Sequence, residues 1–504
     1  MADIKQKVEL LPTEDETLSM EKKPKWYHIN KNTITSKIAY FIMGSKEGAY
    51  KPFLYPFLVD IGLSASQAGL ISGLRLIGGL IGSVVFGMIA DYSQKFKMVL
   101  MFVCIGAMGT MMPQPWIPNI LSNKINCIEN KTISSNSTTT KMNCGQTEGS
   151  PALFWTSFAF YFLMSFFDGY IWTFVDTVVM SQIAKSKRKI NIGQQRVFAP
   201  IGFGISTLIV SALLKSIPKD LHISQYAISH FYYSLVLVFL MINSHFIVKG
   251  VKVQKKPDRK GVTMMSQIWV TVMRPRVLFF LSTVFVHGFS IGCHVSFLFT
   301  LMKTFSPPDI LFGITSCVAS ASALIFYTSA SKIIKKLGGP LPTMGFALFF
   351  SIVRYGTYGF TPYVYLLTVV QIIMGMAVSV FNVAMMLNTE AIAPEEIRSS
   401  MFGITNAVLF GVAGVTSNVV GGIVTEAYGI KVLFQGVAFL CAIWTVLIFF
   451  HVLYDRRRAG NGGNTMSQED TKMIPVVDTD SKDINTSQNG HNLKENDDLH
   501  RLKV

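Results

Sequence analysis

Three charged residues stand in the middle of long apolar segments of this 504-residue chain: Glu47, Arg75 and Asp168. By the helical rise of roughly 1.5 Å per residue, they lie about 15 to 24 Å from an end of their segments. An unpaired Arg at that depth costs roughly 2.5 to 3.5 kcal/mol, so each charge should face a partner or a wet cavity. We expect Arg75 to pair with Asp168 or Glu47, as a proton- or substrate-linked ion pair or as a structural salt bridge. Lys51, four residues after Glu47, offers that carboxylate a local partner.

A second set of polar residues interrupts the apolar segments of the C-terminal half: His287, His294, Arg354, Gln371 and Asn382. We place His287, Arg354 and Gln371 with the first three charges on a substrate and ion pathway. Since His titrates near neutrality, a His in a transport cavity is able to carry protons. For each single His, a hydrogen bond between helices is the alternative interpretation.

A loop motif begins at Gly87 and continues through Asp91 to Lys95 and Lys97. We expect Gly87 to let a neighbouring helix approach closely. Asp91 can face the positive N-terminus of a helix from the other half, and the lysines can hold the loop at the anionic membrane face. These positions predict a gating role, and an ordinary interfacial Asp and Lys pair is the alternative.

A second gating candidate combines Asp176, eight residues beyond Asp168, with Arg196 at the start of the next segment. Eight residues correspond to roughly 12 Å along a helix, on a similar face. An Asp176 to Arg196 pair would act either as an inner gate or as a clamp between two adjacent helices.

The elements that must position these residues are membrane-spanning helices. Half of the residues are hydrophobic and only 15% are charged, which excludes an ordinary soluble protein. Apolar runs of the length that a bilayer requires predict an all-α integral membrane protein of twelve spans. The predicted spans are 35–59, 65–90, 98–116, 152–183, 194–214, 226–248, 277–303, 311–334, 341–358, 362–387, 400–428 and 431–454.

These spans divide the chain into two six-helix halves, residues 34–249 and 277–454. A polar N-terminal tail, 1–33, precedes them without a cleavable signal peptide, and a basic loop, 250–276, joins them. The polar residues 455–504 predict a disordered tail.

Loop charges indicate the orientation. Eighteen Lys and Arg residues fall in loops on the side of the N-terminus and seven on the other side, which favours cytoplasmic termini. The longest opposite loop, 118–150, contains glycosylation sequons at Asn130 and Asn136, and Cys127 and Cys144 as a candidate disulfide. We expect the plasma membrane, with an endolysosomal membrane as the alternative.

The Gly87 to Lys97 motif resembles the signature loop of the major facilitator superfamily. The segments at residues 70–75, 175–177 and 193–204, together with Arg354, are similar to the family of major facilitator superfamily domain-containing protein 6. That resemblance implies two six-helix halves, alternating access and a long outside loop after the third helix. It also implies that some members act in cell-surface recognition.

The sequence therefore predicts a secondary active transporter, not an enzyme, that moves a small polar organic solute with protons. The alternative is a transporter-shaped surface receptor that binds an extracellular protein or glycan through loop 118–150. We find no Walker-type loop, metal-spaced Cys and His set or cofactor motif, so we expect no cofactor and no metal. The expected partners are the bilayer, the solute and protons; the scattered basic residues argue against nucleic acid.

We predict that Asn130 and Asn136 carry glycans. Glycosidase treatment should increase the gel mobility of the wild-type protein but not of the Asn130→Gln, Asn136→Gln double variant. An unchanged wild-type band would contradict the prediction, and a reporter in this loop that is active in the cytosol would reverse the orientation.

Overall fold

The structure is a computed structural model, and it describes the chain in ranges separated by gaps. These are residues 34–93, 95–121, 129–130, 133–134, 137–138, 141–142, 151–185, 197–217, 223–247, 261–394 and 397–461. The predicted disulfide cysteines Cys127 and Cys144, the sequon residue Asn136 and the gating residue Arg196 lie outside them.

Long helices make up almost all of the described chain, which confirms the all-α membrane fold. The helices of the N-terminal half are α1 (Ile34–Asp60), α2 (Ala65–Ser93), α3 (Phe96–Met111), α4 (Pro151–Lys185), α5 (Phe198–Leu213) and α6 (Ile228–Ile247). Those of the C-terminal half are α7 (Pro275–Lys303), α8 (Ile310–Leu337), α9 (Pro340–Phe360), α10 (Gln371–Ile392), α11 (Ala413–Tyr428) and α12 (Ile430–Asn461). A short helix, Val364–Val369, leads into α10, and Arg398–Asn406 with a π-helical turn, Ala407–Val412, leads into α11.

Ten of these helical segments are long and apolar enough to cross a membrane by length and composition. The two others are α1 and α9, at 27 and 21 residues. Helix α1 falls short because it carries Lys46, Glu47 and Lys51 in its interior. Helix α9 has a single charged residue, Arg354, but many small and polar side chains. The length of both helices is sufficient for a span, and the count of twelve stays a prediction.

Three segments that the sequence predicts to be loops or a disordered tail are partly helical. The central loop 250–276 contains the helix Gly261–Val272, and α12 continues to Asn461, beyond the start of the predicted tail at residue 455. Loop 118–150 begins with the end of a short helix, Ile117–Leu121. It also contains two antiparallel pairs of two-residue strands, Glu129–Asn130 with Lys141–Met142 and Ile133–Ser134 with Ser137–Thr138. Asn130 therefore lies on a strand backbone.

Glycines bring α1 and α5 into backbone contact. A Cβ atom on Gly48 would lie 2.3 Å from the carbonyl oxygen of Phe203, so only glycine permits this approach. Pro52 has no amide hydrogen, and it leaves the carbonyl of Gly48 without its helical partner. The hydroxyl of Thr207 on α5 donates to that carbonyl at 3.0 Å. The same contact thus permits close packing and replaces the missing hydrogen bond.

Small residues also join the other neighbouring helices. A Cβ on Gly169 of α4 would lie 2.0 Å from the carbonyl oxygen of Gly79 on α2. In the C-terminal half, a Cβ on Gly288 of α7 would lie 2.4 Å from the carbonyl oxygen of Leu409 in the π-helical turn. Within a bilayer, such contacts allow helices to associate by van der Waals packing.

The two halves meet at the loop end of the bundle, defined here as the end at which α1 finishes and α7 finishes. Three polar contacts join the halves there: Lys303 to Asp60 at 3.3 Å, Lys215 to Asp309 at 3.2 Å, and the Ser66 amide to Glu426 Oε2 at 2.7 Å. Phe53 and Phe299 pack edge to face beneath them, with ring centroids 5.4 Å apart.

Helices α2 and α11 approach most closely just below these polar contacts. A Cβ on Gly422 would lie 2.7 Å from the carbonyl oxygen of Ala65 and 3.0 Å from the Cα of Gly69. At the opposite end, which we call the terminus end, a Cβ on Gly87 or Gly403 would meet no described atom within 4 Å. The structure is therefore closed at the loop end.

We predict that Gly422→Val separates the halves at the loop end without unfolding the protein. The added side chain cannot fit against Ala65, whereas contacts within each half are unaffected. Spin labels at Val59→Cys on α1 and Thr304→Cys after α7 should report a longer mean distance in Gly422→Val. The control is Gly436→Val on α12, where an added Cβ meets no described atom within 4 Å. Equal distances in both variants would show that the Gly422 contact does not hold the halves together.

Candidate functional site

A lysine and an aspartate form a buried ion pair between α1 and α4. The Nζ of Lys46 lies 2.7 Å from both carboxylate oxygens of Asp168, and both residues are buried. Tyr233 on α6 donates its hydroxyl to Asp168 Oδ1 at 2.7 Å. Asp168 is therefore held by charge and hydrogen bonds from two helices.

The structure does not form the predicted pair between Arg75 and Asp168. Instead, Nη1 of Arg75 donates to the hydroxyls of Tyr50 and Ser165 at 3.4 Å each, and the guanidinium lies 5.5 Å from the centroid of the Tyr50 ring. The Nε of Arg75 has no hydrogen-bond partner among the described atoms. Lys46 takes the carboxylate because it comes from the facing helix at the depth of Asp168.

Glu47 also binds lysines in preference to Arg75. It forms an ion pair with Lys51, one helical turn away, and lies 3.2 Å from Lys46. Trp172 on α4 donates its indole N–H to Glu47 Oε1 at 2.9 Å. The local alternative suggested by the sequence, a Glu47 to Lys51 pair, is thus present, and it is extended to α4.

The polar residues predicted in the C-terminal half form a second buried cluster between α7, α9 and α10. Arg354 is fully buried; its Nη1 contacts Met374 Sδ and its guanidinium lies 4.1 Å from the centroid of the Tyr355 ring. The ring of His287 stacks on Phe381 at 3.6 Å.

Gln371 connects the cluster to the loop end of α7. It donates to the Leu367 carbonyl at 2.9 Å and to the Tyr358 hydroxyl at 2.7 Å, which in turn lies 3.3 Å from His294 Nδ1. Asn382 on α10 donates to the Tyr327 hydroxyl at 3.2 Å. The structure therefore brings His287, Arg354 and Gln371 into one half of the interior, while Glu47, Arg75 and Asp168 occupy the other.

The predicted gating residues have mixed outcomes. Gly87 faces open space, so the expected close helix approach at this glycine is wrong for the described conformation. Lys95 is exposed, and its backbone amide donates to the Ser93 hydroxyl at 3.3 Å. Asp176 accepts a hydrogen bond from Tyr40 at 2.7 Å. The side chain of Asp91 and all of Arg196 lie outside the described residues, so these two roles stay predictions.

Sequence reasoning missed the residues that complete both clusters. Lys46, the partner of Asp168, is one of these residues, and Tyr233, Trp172 and Tyr50 are others. The sequence does carry one signal: basic residues outnumber acidic residues in the spans of the N-terminal half. Each buried acid therefore has several basic residues as possible partners.

The fold is similar to those of solved transporters. A mutant of the nucleoside transporter NupG has a TM-score of 0.65 and 15% sequence identity, with 83% of this chain and 99% of that chain covered. A bacterial homolog to the human lysosomal transporter Spinster, in an inward-facing and occupied conformation, has a TM-score of 0.59 and 12% identity. Here 83% of this chain and 95% of that chain are covered. At these identities the likeness shows the fold.

The fold and the buried polar interior define a multi-pass membrane protein of the transporter type, not an enzyme. The family model described as "MFS_1 like family" matches residues 33–436, and the chain belongs to this family. The resemblance of the sequence to the major facilitator superfamily is thereby confirmed.

We predict that breaking the Lys46 to Asp168 pair destabilises the protein, whereas removing both charges does not. Lys46→Met or Asp168→Leu alone leaves a buried charge without its counterion, which typically costs about 3–5 kcal/mol. The double variant should recover most of that loss in thermal unfolding of the purified protein. The control is Lys215→Met, whose side chain is 80% exposed and should contribute about 1 kcal/mol or less. Additive losses in the double variant would show that the two residues do not act as a pair.

Proposed function

We propose that the protein is a secondary active transporter that moves a small polar organic solute by alternating access, coupled to protons. The observation that carries this proposal is the closure of the bundle at the loop end. The polar contacts, the aromatic packing and the Gly422 approach all lie there. A protein that rocks between closure at one end and closure at the other exposes its interior alternately to each side.

The interior chemistry fits a carrier for polar solutes. A lipid-facing bundle without a polar substrate has no reason to bury Lys46, Glu47, Arg75, Asp168 and Arg354 together, since each buried charge is costly. These five residues come from α1, α2, α4 and α9, so they line the inside of both halves. The family membership and the transporter folds of the solved relatives support the same class.

The Lys46, Asp168 and Tyr233 cluster is the proposed site of proton coupling. Protonation of Asp168 would neutralise the carboxylate and remove the ionic attraction of Lys46, so the Trp172 to Glu47 hydrogen bond would remain as the polar contact between α1 and α4 described above. Re-ionisation would restore the contact. Because α1 also carries Phe53 and Asp60 of the loop-end contacts, a change at Asp168 is able to reach the closed end.

The positive-inside distribution of loop charges supports cytoplasmic termini, with loop 118–150 outside the cell and the terminus end facing the cytoplasm. In this orientation the described conformation is closed on the outside, at the loop end. We propose the plasma membrane as the location, since the sequons and Cys127 with Cys144 suit an exposed loop. No observation on the described residues favours the alternative of a surface receptor.

We predict that cells expressing the protein take up a polar solute faster at acidic than at neutral external pH. An untargeted metabolite-uptake screen at two external pH values would identify the solute. Asp168→Asn removes the carboxylate that is proposed to accept the proton, so it should abolish the pH dependence at equal surface expression. Asp455→Asn on α12, where the carboxylate lies 3.5 Å from His451, is the matched control and should behave like wild type. A pH dependence that persists in Asp168→Asn would contradict the coupling role, and uptake of no solute would contradict transport.

A further inference from the structure

We propose that Arg354 binds a pair of anionic oxygens on the transported solute, so that the substrate class is an organic carboxylate or phosphate. The inference rests on the proposed transport function and deepens it. It arises from an arginine whose charge nothing in the described chain neutralises.

The free edge of the Arg354 guanidinium has the geometry of an oxyanion site. Nη1 is occupied by the Met374 sulfur, while Nε and Nη2 are buried and have no hydrogen-bond partner among the described atoms. These two donors point side by side from the guanidinium plane, and such a fork matches the two oxygens of a carboxylate or phosphate. A permanent lack of partners for both donors would be costly in a buried position.

The acidic residues of the described C-terminal half are engaged elsewhere. Asp309 lies 3.2 Å from Lys215, Glu390 lies 4.0 Å from Arg398, Glu426 accepts from the Ser66 amide, and Asp455 lies near His451. All four are on helix ends or in the last turns of helices. Glu395 and Glu396 lie outside the described residues. None of the acidic residues in 261–394 and 397–461 is therefore the counterion of Arg354.

The neighbours of Arg354 also have unused polar atoms. Both ring nitrogens of buried His287 have no hydrogen-bond partner among the described atoms, and neither has Oε1 of Gln371. The orientation of the Gln371 amide is fixed because its Nε2 donates to two oxygens. His287 can therefore donate to an anion, and Gln371 can accept from a hydroxyl or amide group on the same molecule. A solute with an acidic group and a neighbouring hydrogen-bond donor would supply partners for these atoms.

The charge balance of the whole interior points in the same direction. Among the described residues, the buried side chains of fixed charge are three bases, Lys46, Arg75 and Arg354, and two acids, Glu47 and Asp168. Both acids already bind lysines. The N-terminal half is thus close to internal neutrality around Asp168, whereas the C-terminal cluster is purely basic. An anion that binds at Arg354 would neutralise this excess positive charge.

The test uses the purified full-length protein in lipid nanodiscs, with thermal unfolding as the readout of binding. The probes are acetate, benzoate, succinate and inorganic phosphate, each at a series of millimolar concentrations and at constant ionic strength. Acetamide, benzamide and succinamide are the uncharged counterparts of the three carboxylates. We expect at least one anion to raise the unfolding temperature more than the uncharged probes. If no anion does so, the proposal is overturned. The carboxylate and phosphate arms separate the two oxyanion types.

The variants assign the effect to Arg354. Arg354→Gln should weaken binding of the effective anion by about ten- to hundredfold, as expected for lost hydrogen bonds to a charged group. Arg354→Lys keeps the charge but not the fork, and it should bind more weakly than wild type. The matched control is Arg274→Gln, at an exposed arginine before α7, which should bind like wild type. Wild-type affinity in Arg354→Gln would overturn the proposal.

A structural role of Arg354 gives a different result. Because Arg354→Gln removes an uncompensated buried charge, the unfolding temperature of the anion-free variant should be equal to or above that of wild type. A large decrease in Arg354→Gln, together with wild-type anion affinity in Arg354→Lys, would identify Arg354 as a structural tie and would overturn the proposal. If the Gln variant does not fold, Arg354→Lys and the wild-type probe pairs decide. Anion binding without uptake in cells would contradict the transport function alone. Uptake of an uncharged solute without anion binding would contradict this inference alone.

Discussion

The cost of placing charge inside an apolar bundle governs the arrangement of this interior. Each half resolves that cost differently. In the N-terminal half, lysines from α1 bind the carboxylates of Glu47 and Asp168, and tyrosine and tryptophan side chains complete the network. In the C-terminal half, aromatic rings and a methionine sulfur surround Arg354, and they offer no negative charge. In the N-terminal half the protein supplies its own counterions, whereas in the C-terminal half the counterion of Arg354 has to come from another molecule.

Small residues are also required for this arrangement, since the charged groups can meet only if the helix backbones come close. Gly48 lets α1 approach α5, and Gly169 lets α4 approach α2. These contacts lie within one half and fix the positions of Lys46 and Asp168. Gly422 permits the same kind of close backbone approach between the halves, where it faces Ala65 at the closed end. Packing within a half therefore builds the site, and packing between halves controls access to it.

The sequence predicted the helices and the depth of the charges well because both depend on position along the chain. Apolar runs gave the ends of most helices within a few residues, and Glu47, Arg75, Asp168 and Arg354 are indeed buried. The choice of partner was wrong for Arg75. Partner choice depends on the rotation of each helix about its axis, and adjacent residues such as Lys46 and Glu47 differ by about 100°.

Other features of the site depend on contacts that no local pattern encodes. The open space around Gly87 belongs to one conformation of the two halves, so a motif at a single loop cannot reveal it. The free edge of Arg354 exists because α7 carries no acid and the one acid on α10, Glu390, lies in its last turn near Arg398, and no pattern local to Arg354 encodes this. Charge counting within each half would have indicated the excess, although not its position.

The hydrogen bond from Thr207 to the carbonyl of Gly48 has a mechanical consequence. Proline at position 52 makes α1 the helix that is easiest to bend, but the freed carbonyl at the bend is attached to α5. Helix α5 in turn touches α8 of the other half, where the Cys317 thiol donates to the Gly204 carbonyl at 3.3 Å. Bending of α1 at this proline would therefore displace α5 and alter the contact between α5 and α8. The two halves are in this way connected in their interior through α1, α5 and α8, in addition to the contacts at their closed end.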